Sequence, residues 1–324
     1  MRGVILDSDT LAPADLDLQS LYNSLDNSLD DWQTYATTQP EQTLARIQGA
    51  EVVVTNKVVI DRQMLEQSPS LKLICIAATG TNNVDLQAAA DYKVTVTNVA
   101  GYGVGSVAQH TLALMLALAT KLPQYHNACQ SGQWSQSPFF CMLDHPIIEL
   151  ADKTLGIVGY GAIGQAVAKL AEAIGMRVII SARPGSHECP SDRLPLAEVL
   201  SQADILSLHC PLTPATDQFI NHHTLQQLKP GSLLINTARG GLIDEAALVA
   251  ALKSGQLGGA ALDSISVEPP PADHPLLAAD IPNLILTPHC AWGSQKARQT
   301  LVNEVALNIQ AFRRGEARNL VRAD

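Results

Sequence analysis

The chain has 324 residues, of which 46% are hydrophobic and 16% charged, with a formal net charge of −10. That length exceeds what a single core usually spans, so two domains are expected, each with enough apolar residues to bury a core of its own. The acidic balance, without a basic stripe, leaves no electrostatic reason to bind nucleic acid, and the longest apolar run, 111–119, is too short to cross a bilayer. The six cysteines form no CxxC pair and no metal-ligand spacing, so no metal is expected. Reduced, mostly buried thiols suit a cytoplasmic protein, and the N-terminus MRGVILDSD carries no long apolar leader.

Residues 1–100 alternate short apolar runs with polar helical stretches, and the runs at 3–6, 51–55, 71–77 and 94–98 read as strands of a parallel α/β sheet. Such sheets bind ligands beyond the carboxyl ends of their strands. Two loops there are conspicuous, Thr55-Asn56-Lys57 and the ATGTNN segment at 78–83. Backbone N–H groups around Thr79 and Gly80 would suit a carboxylate; an ordinary Gly/Asn turn is equally consistent. A helix over 104–121, apolar on most faces, implies burial between layers, with His110 read as a core or interdomain hydrogen-bonding residue. The aromatic segment 133–143, QWSQSPFFCML, leads into the next unit.

The rest is organised around 153–183, KTLGIVGYGAIGQAVAKLAEAIGMRVIISAR. An apolar strand runs into Gly159, Gly161 and Gly164 at GxGxxG spacing; Ile163, Val167, Leu170 and Ile174 then recur at helical spacing, and a second strand follows at 177–181. Gly159 permits a tight turn, Gly161 lets a pyrophosphate approach the backbone, and Gly164 lets helix and strand pack closely. The helix start at Ala162 and Ile163 then faces the anion. Alone the motif is weak; between strand, helix and strand it points to a dinucleotide. Where NAD-selective units carry an acidic residue, the second strand ends here in Ser181-Ala182-Arg183. With no carboxylate to repel a 2′-phosphate and a guanidinium to pair with it, NADP is favoured, and a solvated arginine beside a site that accepts NAD as well is the alternative.

Strands at 205–208, 233–236, 260–262 and 284–286, with a helix at 245–254 stopped by Gly255, continue a doubly wound pattern. A last helix, about 294–314, lies outside that alternation and is expected to return to the first domain. The expected architecture is two Rossmann-like, doubly wound parallel-sheet domains with a cleft between them. Residues 1–100 and 294–324 form one and 101–293 the other, the dinucleotide-binding domain.

Three ionisable residues follow strands at glycine or proline turns: Arg239 in NTARGG, Glu268 in ALDSISVEPP and His289 in LTPHCAWG. Reducing a 2-oxo acid requires a hydride donor, a cation for the carboxylate and carbonyl oxygen, and an acid for the emerging alkoxide. Arginine, histidine and an orienting carboxylate fill those roles, although each residue alone also fits a solvated or satisfied loop position. Thr237 and Ala238, just before Arg239, are assigned to the cofactor. His209-Cys210-Pro211 ends a strand and reads as shaping the loop over the dinucleotide rather than binding a metal, and no GxSxG elbow marks a nucleophile.

At these residues the chain resembles the D-isomer-specific 2-hydroxyacid dehydrogenase family. The resemblance runs through ATGTNNVD, NVAGYGVGSVAQHTLALML, KTLGIVGYGAIG, LHCPLT, NTARGGLIDE and TPHCAWGS, in family order. It implies that Arg239 holds the substrate, that His289 is the general acid/base paired with Glu268, and that Asp263 lies near the nicotinamide. It also implies that Thr79, Gly80 and Asn56 meet the substrate in a discontinuous substrate-binding domain, and that the enzyme is a homodimer joined through its cofactor domains. Within the family the wording is most similar to glycerate dehydrogenases, also called hydroxypyruvate reductases, for which Trp292 would line the substrate pocket. The expected reaction is NAD(P)H-dependent reduction of hydroxypyruvate or glyoxylate to D-glycerate or glycolate. The alternatives are a broader 2-oxo acid reductase and a nucleotide-sensing binding protein of the corepressor type.

Overall fold

Short apolar runs bounded by polar turns fold as buried strands, and longer stretches with apolar residues at helical spacing fold as the helices between them. A computed structural model describes residues 1–25, 31–186 and 188–323. The chain divides into two units, Met1–Gly103 with Gly293–Asp324, and Val104–Trp292. The first opens with β1 (Gly3–Ile5), α1 (Gln19–Tyr22), β2 (Trp32–Thr34), α2 (Pro40–Ile47), β3 (Val52–Thr55), α3 (Arg62–Glu66), β4 (Leu73–Ile76), α4 (Leu86–Asp91) and β5 (Thr95–Thr97). The second begins with α5 (Val104–Thr120), α6 (Leu122–Gln130), β6 (Thr154–Val158), α7 (Ala162–Ala173), β7 (Arg177–Ile180), α8 (Leu196–Gln202) and β8 (Ile205–Leu208). It continues through α9 (His222–Gln227), β9 (Ser232–Asn236), α10 (Glu245–Ser254), β10 (Leu257–Leu262) and β11 (Leu284–Leu286). The chain then rejoins the first unit in α11 (Gln295–Arg313) and β12 (Leu320–Val321).

Each unit is built on one six-stranded sheet, ordered β12-β5-β4-β3-β1-β2 in the first and β11-β10-β9-β8-β6-β7 in the second. The doubly wound parallel architecture is present in both, with one departure: β12 runs antiparallel to β5. Neither β12 nor β2 is announced by the sequence, because both are edge strands with partly exposed side chains and no apolar run. The strand order reverses around β6, which has β7 on one side and β8 on the other, and around β1, which lies between β2 and β3. Those are the crevices where open α/β sheets receive ligands.

Helix α11 buries Leu301, Val302, Val305 and Ile309 and packs on α1 and β4. Arg298 on it grips both carboxylate oxygens of Asp15, each at 2.8 Å, and Asn308 Nδ2 donates to Asn98 O at 3.0 Å. In the second unit α5 lies against α7, β9 and β10 and buries Leu114, Met115 and Leu118. Among the described residues no helix is long and apolar enough to cross a membrane.

Candidate active site

Beyond β6 the chain turns at Gly159, whose φ of +97° is strained for any residue with a side chain. A Cβ there would lie 2.4 Å from Cys210 N and 2.5 Å from the His209 carbonyl carbon, so the turn packs directly on the loop that leaves β8. A Cβ on Gly164 would sit 2.2 Å from Gly159 O, and only its absence lets α7 begin this close to the strand. Gly161 differs, because a Cβ there would meet nothing within 4 Å. It is the N-cap of α7 and supplies no side-chain cap, so the N–H groups of Ala162, Ile163 and Gly164 lack helical partners beside open space. Unpaired N–H groups at the positive end of a helix, set at the switch point between β6 and β8, fit a dinucleotide's pyrophosphate.

The loop after β8 is electrically quiet. Burial pushes the His209 imidazole down to about 4, so the ring is neutral near pH 7, and it hydrogen-bonds Ser207 Oγ at 2.9 Å. Burial likewise pushes the Cys210 thiol up to about 11, which leaves it protonated. Pro211 O accepts the Thr216 hydroxyl at 2.8 Å, closing the loop. At the end of β7, Ser181 is buried and its hydroxyl donates to Ala182 O at 2.8 Å, whereas Arg183 is exposed.

Strands β9, β10 and β11 are consecutive and parallel, so the loops leaving their carboxyl ends lie side by side. After β9, Asn236 closes the loop by accepting Ala238 N–H at 3.0 Å and donating to Arg239 O at 2.8 Å, while Thr237 Oγ1 bonds Thr111 Oγ1 at 2.9 Å. Arg239 is exposed, donates only to Ala238 O at 2.7 Å, and has no carboxylate partner among the described residues. The next residue, Gly240, is buried where a Cβ would fall 1.9 Å from the Ile265 carbonyl carbon. That approach seats the arginine loop on the loop after β10.

In the neighbouring loop, Ile265 N–H donates to Glu268 Oε1 at 3.0 Å, and Glu268 Oε2 lies 2.6 Å from His289 Nδ1. The two side chains are 35% and 31% exposed, open enough to meet a small molecule. His289 holds φ +51°, a left-handed conformation that costs about 1 kcal/mol or more for a residue with a side chain.

What holds it is Asp263, only 2% exposed. Its Oδ1 accepts the Thr287 hydroxyl at 2.6 Å and Cys290 N–H at 2.9 Å, and its Oδ2 accepts Ala291 N–H at 2.8 Å. The Thr287 hydroxyl also bonds His110 Nε2 at 3.1 Å. His110, Asp263 and Cys290 thus gather potential metal-ligand atoms within 4.8 Å, but a hydroxyl already links the first two. The resemblance places Asp263 near the nicotinamide; in the structure both its oxygens also fix the histidine turn, a role whose partners, distant along the chain, leave no local signal. Trp292, next after Ala291, is half-buried.

In the first unit, Asn56 follows β3 and is buried, its Nδ2 donating to Thr10 Oγ1 at 3.1 Å. The switch point beside β1, in contrast to that beside β6, has no glycine turn. Asp7 fills it, accepting N–H groups of Asn56 at 2.9 Å and Lys57 at 2.7 Å. Thr79 follows β4, exposed, with its hydroxyl on Val99 O at 3.0 Å and its carbonyl accepting Asn98 Nδ2 at 2.7 Å; Gly80 beside it is half-buried.

Residues 112–291 match the family model described as the D-isomer specific 2-hydroxyacid dehydrogenase NAD binding domain. The match lies inside the second unit, which is therefore an NAD(P)-binding domain. The chain is 45% identical over 289 residues to a glycerate dehydrogenase of Methylorubrum extorquens, covering 89% of this chain and 90% of the relative. It is 36% identical over 327 residues to a hydroxypyruvate reductase of Blautia hydrogenotrophica, covering 99% of each. Among solved structures, an acyclic imino acid reductase in complex with NADPH and D-Arg superimposes with a TM-score of 0.83 at 28% identity, over 99% of this chain and 100% of that one.

Proposed function

This chain belongs to the D-isomer-specific 2-hydroxyacid dehydrogenase family, and from that membership we propose that it reduces hydroxypyruvate or glyoxylate to D-glycerate or glycolate, using NADPH in preference to NADH. The observation that carries the chemistry is the 2.6 Å His289–Glu268 pair, next to a loop whose Arg239 has no carboxylate partner among the described residues. The names of the glycerate dehydrogenase and hydroxypyruvate reductase relatives support the choice of substrate.

Reduced nicotinamide, when bound, supplies the hydride to C2 of the substrate. Glu268 accepts the Nδ1–H of His289, which fixes the ring and leaves Nε2–H to protonate the substrate oxygen. Arg239 binds the substrate carboxylate with two parallel N–H donors and polarises the carbonyl as negative charge develops on its oxygen. Trp292 lines the substrate pocket, and Asn56, Thr79 and Gly80 are further candidates to meet the substrate. Arg183, exposed beside the buried Ser181, pairs with the 2′-phosphate of NADP. The corepressor-type reading is disfavoured, since a sensor needs no complete Arg239, Glu268 and His289 set.

A second copy of the chain covers the aromatic arm of the second unit. Phe139 is 72% exposed, Phe140 91% and Leu143 76%, and Trp134 Nε1 ties the arm together through Phe140 O at 3.0 Å. An ordered apolar patch of this kind is an interface rather than a solvated surface, and light scattering should give twice the chain mass. All six cysteines are free, but only Cys75 and Cys210 are buried, against the mostly buried set expected; the free thiols support a reducing, cytoplasmic location, testable by fractionation.

The deciding assay follows NADPH and NADH oxidation with hydroxypyruvate, glyoxylate and pyruvate, and assigns product configuration by chiral chromatography. Fastest turnover of hydroxypyruvate or glyoxylate with NADPH and a D-glycerate product is expected. An L product, or no turnover of any 2-oxo acid, sinks the reading. A preference for pyruvate moves it to the broader reductase.

A further inference from the structure

We propose that Arg193 is a second guanidinium, working with Arg183, that reads the 2′-phosphate of NADP; this rests on the NADP preference proposed above. Strand β7 is the edge of the second sheet. Beyond it the chain returns to form a parallel bridge between Ser181 and Leu194. Ala182 N–H donates to Leu194 O at 2.8 Å, and Leu194 N–H donates to Ile180 O at 2.9 Å. Arg193 N–H closes a turn on Pro190 O at 3.0 Å. The backbone thereby pins Arg193 just outside the carboxyl end of β7, which is where a βαβ unit of this kind receives the adenosine ribose.

From that position the guanidinium carbon of Arg193 lies 5.7 Å from the ring centroid of Tyr160. Tyr160 stands between Gly159 and Gly161 in the glycine turn after β6, so the contact joins the two segments that flank the end of β7. The arginine is held rather than used up. Asp192 is 3.9 Å from its Nε and mostly exposed, the outer limit of an ion pair, and among the described residues neither terminal nitrogen of Arg193 has a hydrogen-bond partner. Arg298, by comparison, spends its terminal nitrogens on Asp15. A guanidinium at the edge of cation–π range from an aromatic ring, with its two outer nitrogens open among the described residues, is organised for a phosphate.

The test is titration calorimetry of NADP⁺, NAD⁺ and adenosine 2′,5′-bisphosphate on the full chain and on Arg193→Gln, Arg183→Gln, Arg193→Lys and Tyr160→Leu. Loss of one paired phosphate contact should raise the Kd of NADP⁺ and of the bisphosphate about tenfold or more in Arg193→Gln, and that of NAD⁺ less than about twofold. Arg193→Lys, which keeps the charge but not the fork, should recover part of the loss. Tyr160→Leu, which removes the aromatic ring near the guanidinium and no charge, should weaken the two 2′-phosphate ligands by a smaller factor. Unchanged NADP⁺ binding in Arg193→Gln, or an equal loss of both dinucleotides, overturns the proposal. If Arg183→Gln is selective in that same series, only the role of Arg193 falls; tighter binding of NAD⁺ than of NADP⁺ by the unaltered chain ends the NADP reading as well.

Discussion

Nδ1 of His289 and Oε2 of Glu268 stand 2.6 Å apart, and the other carboxylate oxygen is tied to Ile265 N–H at 3.0 Å. A carboxylate held at both oxygens keeps the imidazole in one orientation. Glu268→Gln retains the size and one acceptor but not the charge. Its kcat for reduction should fall by about 10²-fold, and that of His289→Gln by about 10³-fold, the range of a lost acid/base group. Steady-state kinetics at saturating NADPH check both, and a His289→Gln enzyme with unaltered kcat would remove the proton donor from the scheme.

Arg239 offers a test of geometry as well as charge. Among the described residues its guanidinium bonds only a backbone carbonyl in its own loop, so its other donors remain for a substrate carboxylate. A lysine supplies the charge without the fork. Arg239→Lys should lower kcat/KM by about 10²-fold, with both terms affected because the same group binds the carboxylate and polarises the carbonyl. Loss in KM alone would show that Arg239 binds and does not polarise.

The glycine turn and the three loop residues were legible in the sequence because their signals are local: GxGxxG between two apolar runs, and charged residues at turns after strands. What positions them was not. Asp263 fixes the histidine turn through Thr287, Cys290 and Ala291, and Asp7 fills the other switch point through Asn56 and Lys57. A buried carboxylate's partners come from other strands' loops, so only the sheet order identifies them. Edge strands β2 and β12 escaped for a different reason, since half-exposed strands carry no apolar period to read.

Gly240 carries a consequence of the same kind. It reads as an ordinary turn glycine in NTARGG, and its φ is not positive, yet a Cβ there would come 1.9 Å from the Ile265 carbonyl carbon and 2.4 Å from Ser266 N. Backbone cannot swing aside as a side chain can. Gly240→Ala should therefore push the Arg239 and Glu268 loops apart, costing about 2 kcal/mol or more of stability, and lower kcat/KM even in the fraction that folds. Urea denaturation and kinetics on the folded fraction measure the two effects separately.

Asp263 accepts three hydrogen bonds with two oxygens, whereas an asparagine has one acceptor oxygen and a nitrogen that can only donate. Asp263→Asn must leave at least one buried donor unmet, at about 1–3 kcal/mol, and frees the His289 turn from its left-handed conformation. The expected result is a lower melting temperature together with a fall in kcat. Asp263→Asn with full activity would separate the turn from catalysis.

His209 makes a prediction about pH. Burial lowers its folded-state value to about 4 from an ordinary 6.5. Between those two values the unfolded chain binds a proton that the folded chain refuses, so stability declines as pH falls from about 6.5 towards 4 and this contribution then levels off. The loss amounts to at most about 3 kcal/mol, and less to the extent that the half-buried residue meets water. His209→Asn keeps a polar partner for Ser207 and removes the titration, so its stability should decline less over that window. Urea midpoints for both proteins at several pH values between 4 and 7 give the two slopes. Identical slopes would mean that the imidazole takes up its proton without unfolding, and that the loop beneath the glycine turn is more open to water than its packing against Gly159 implies.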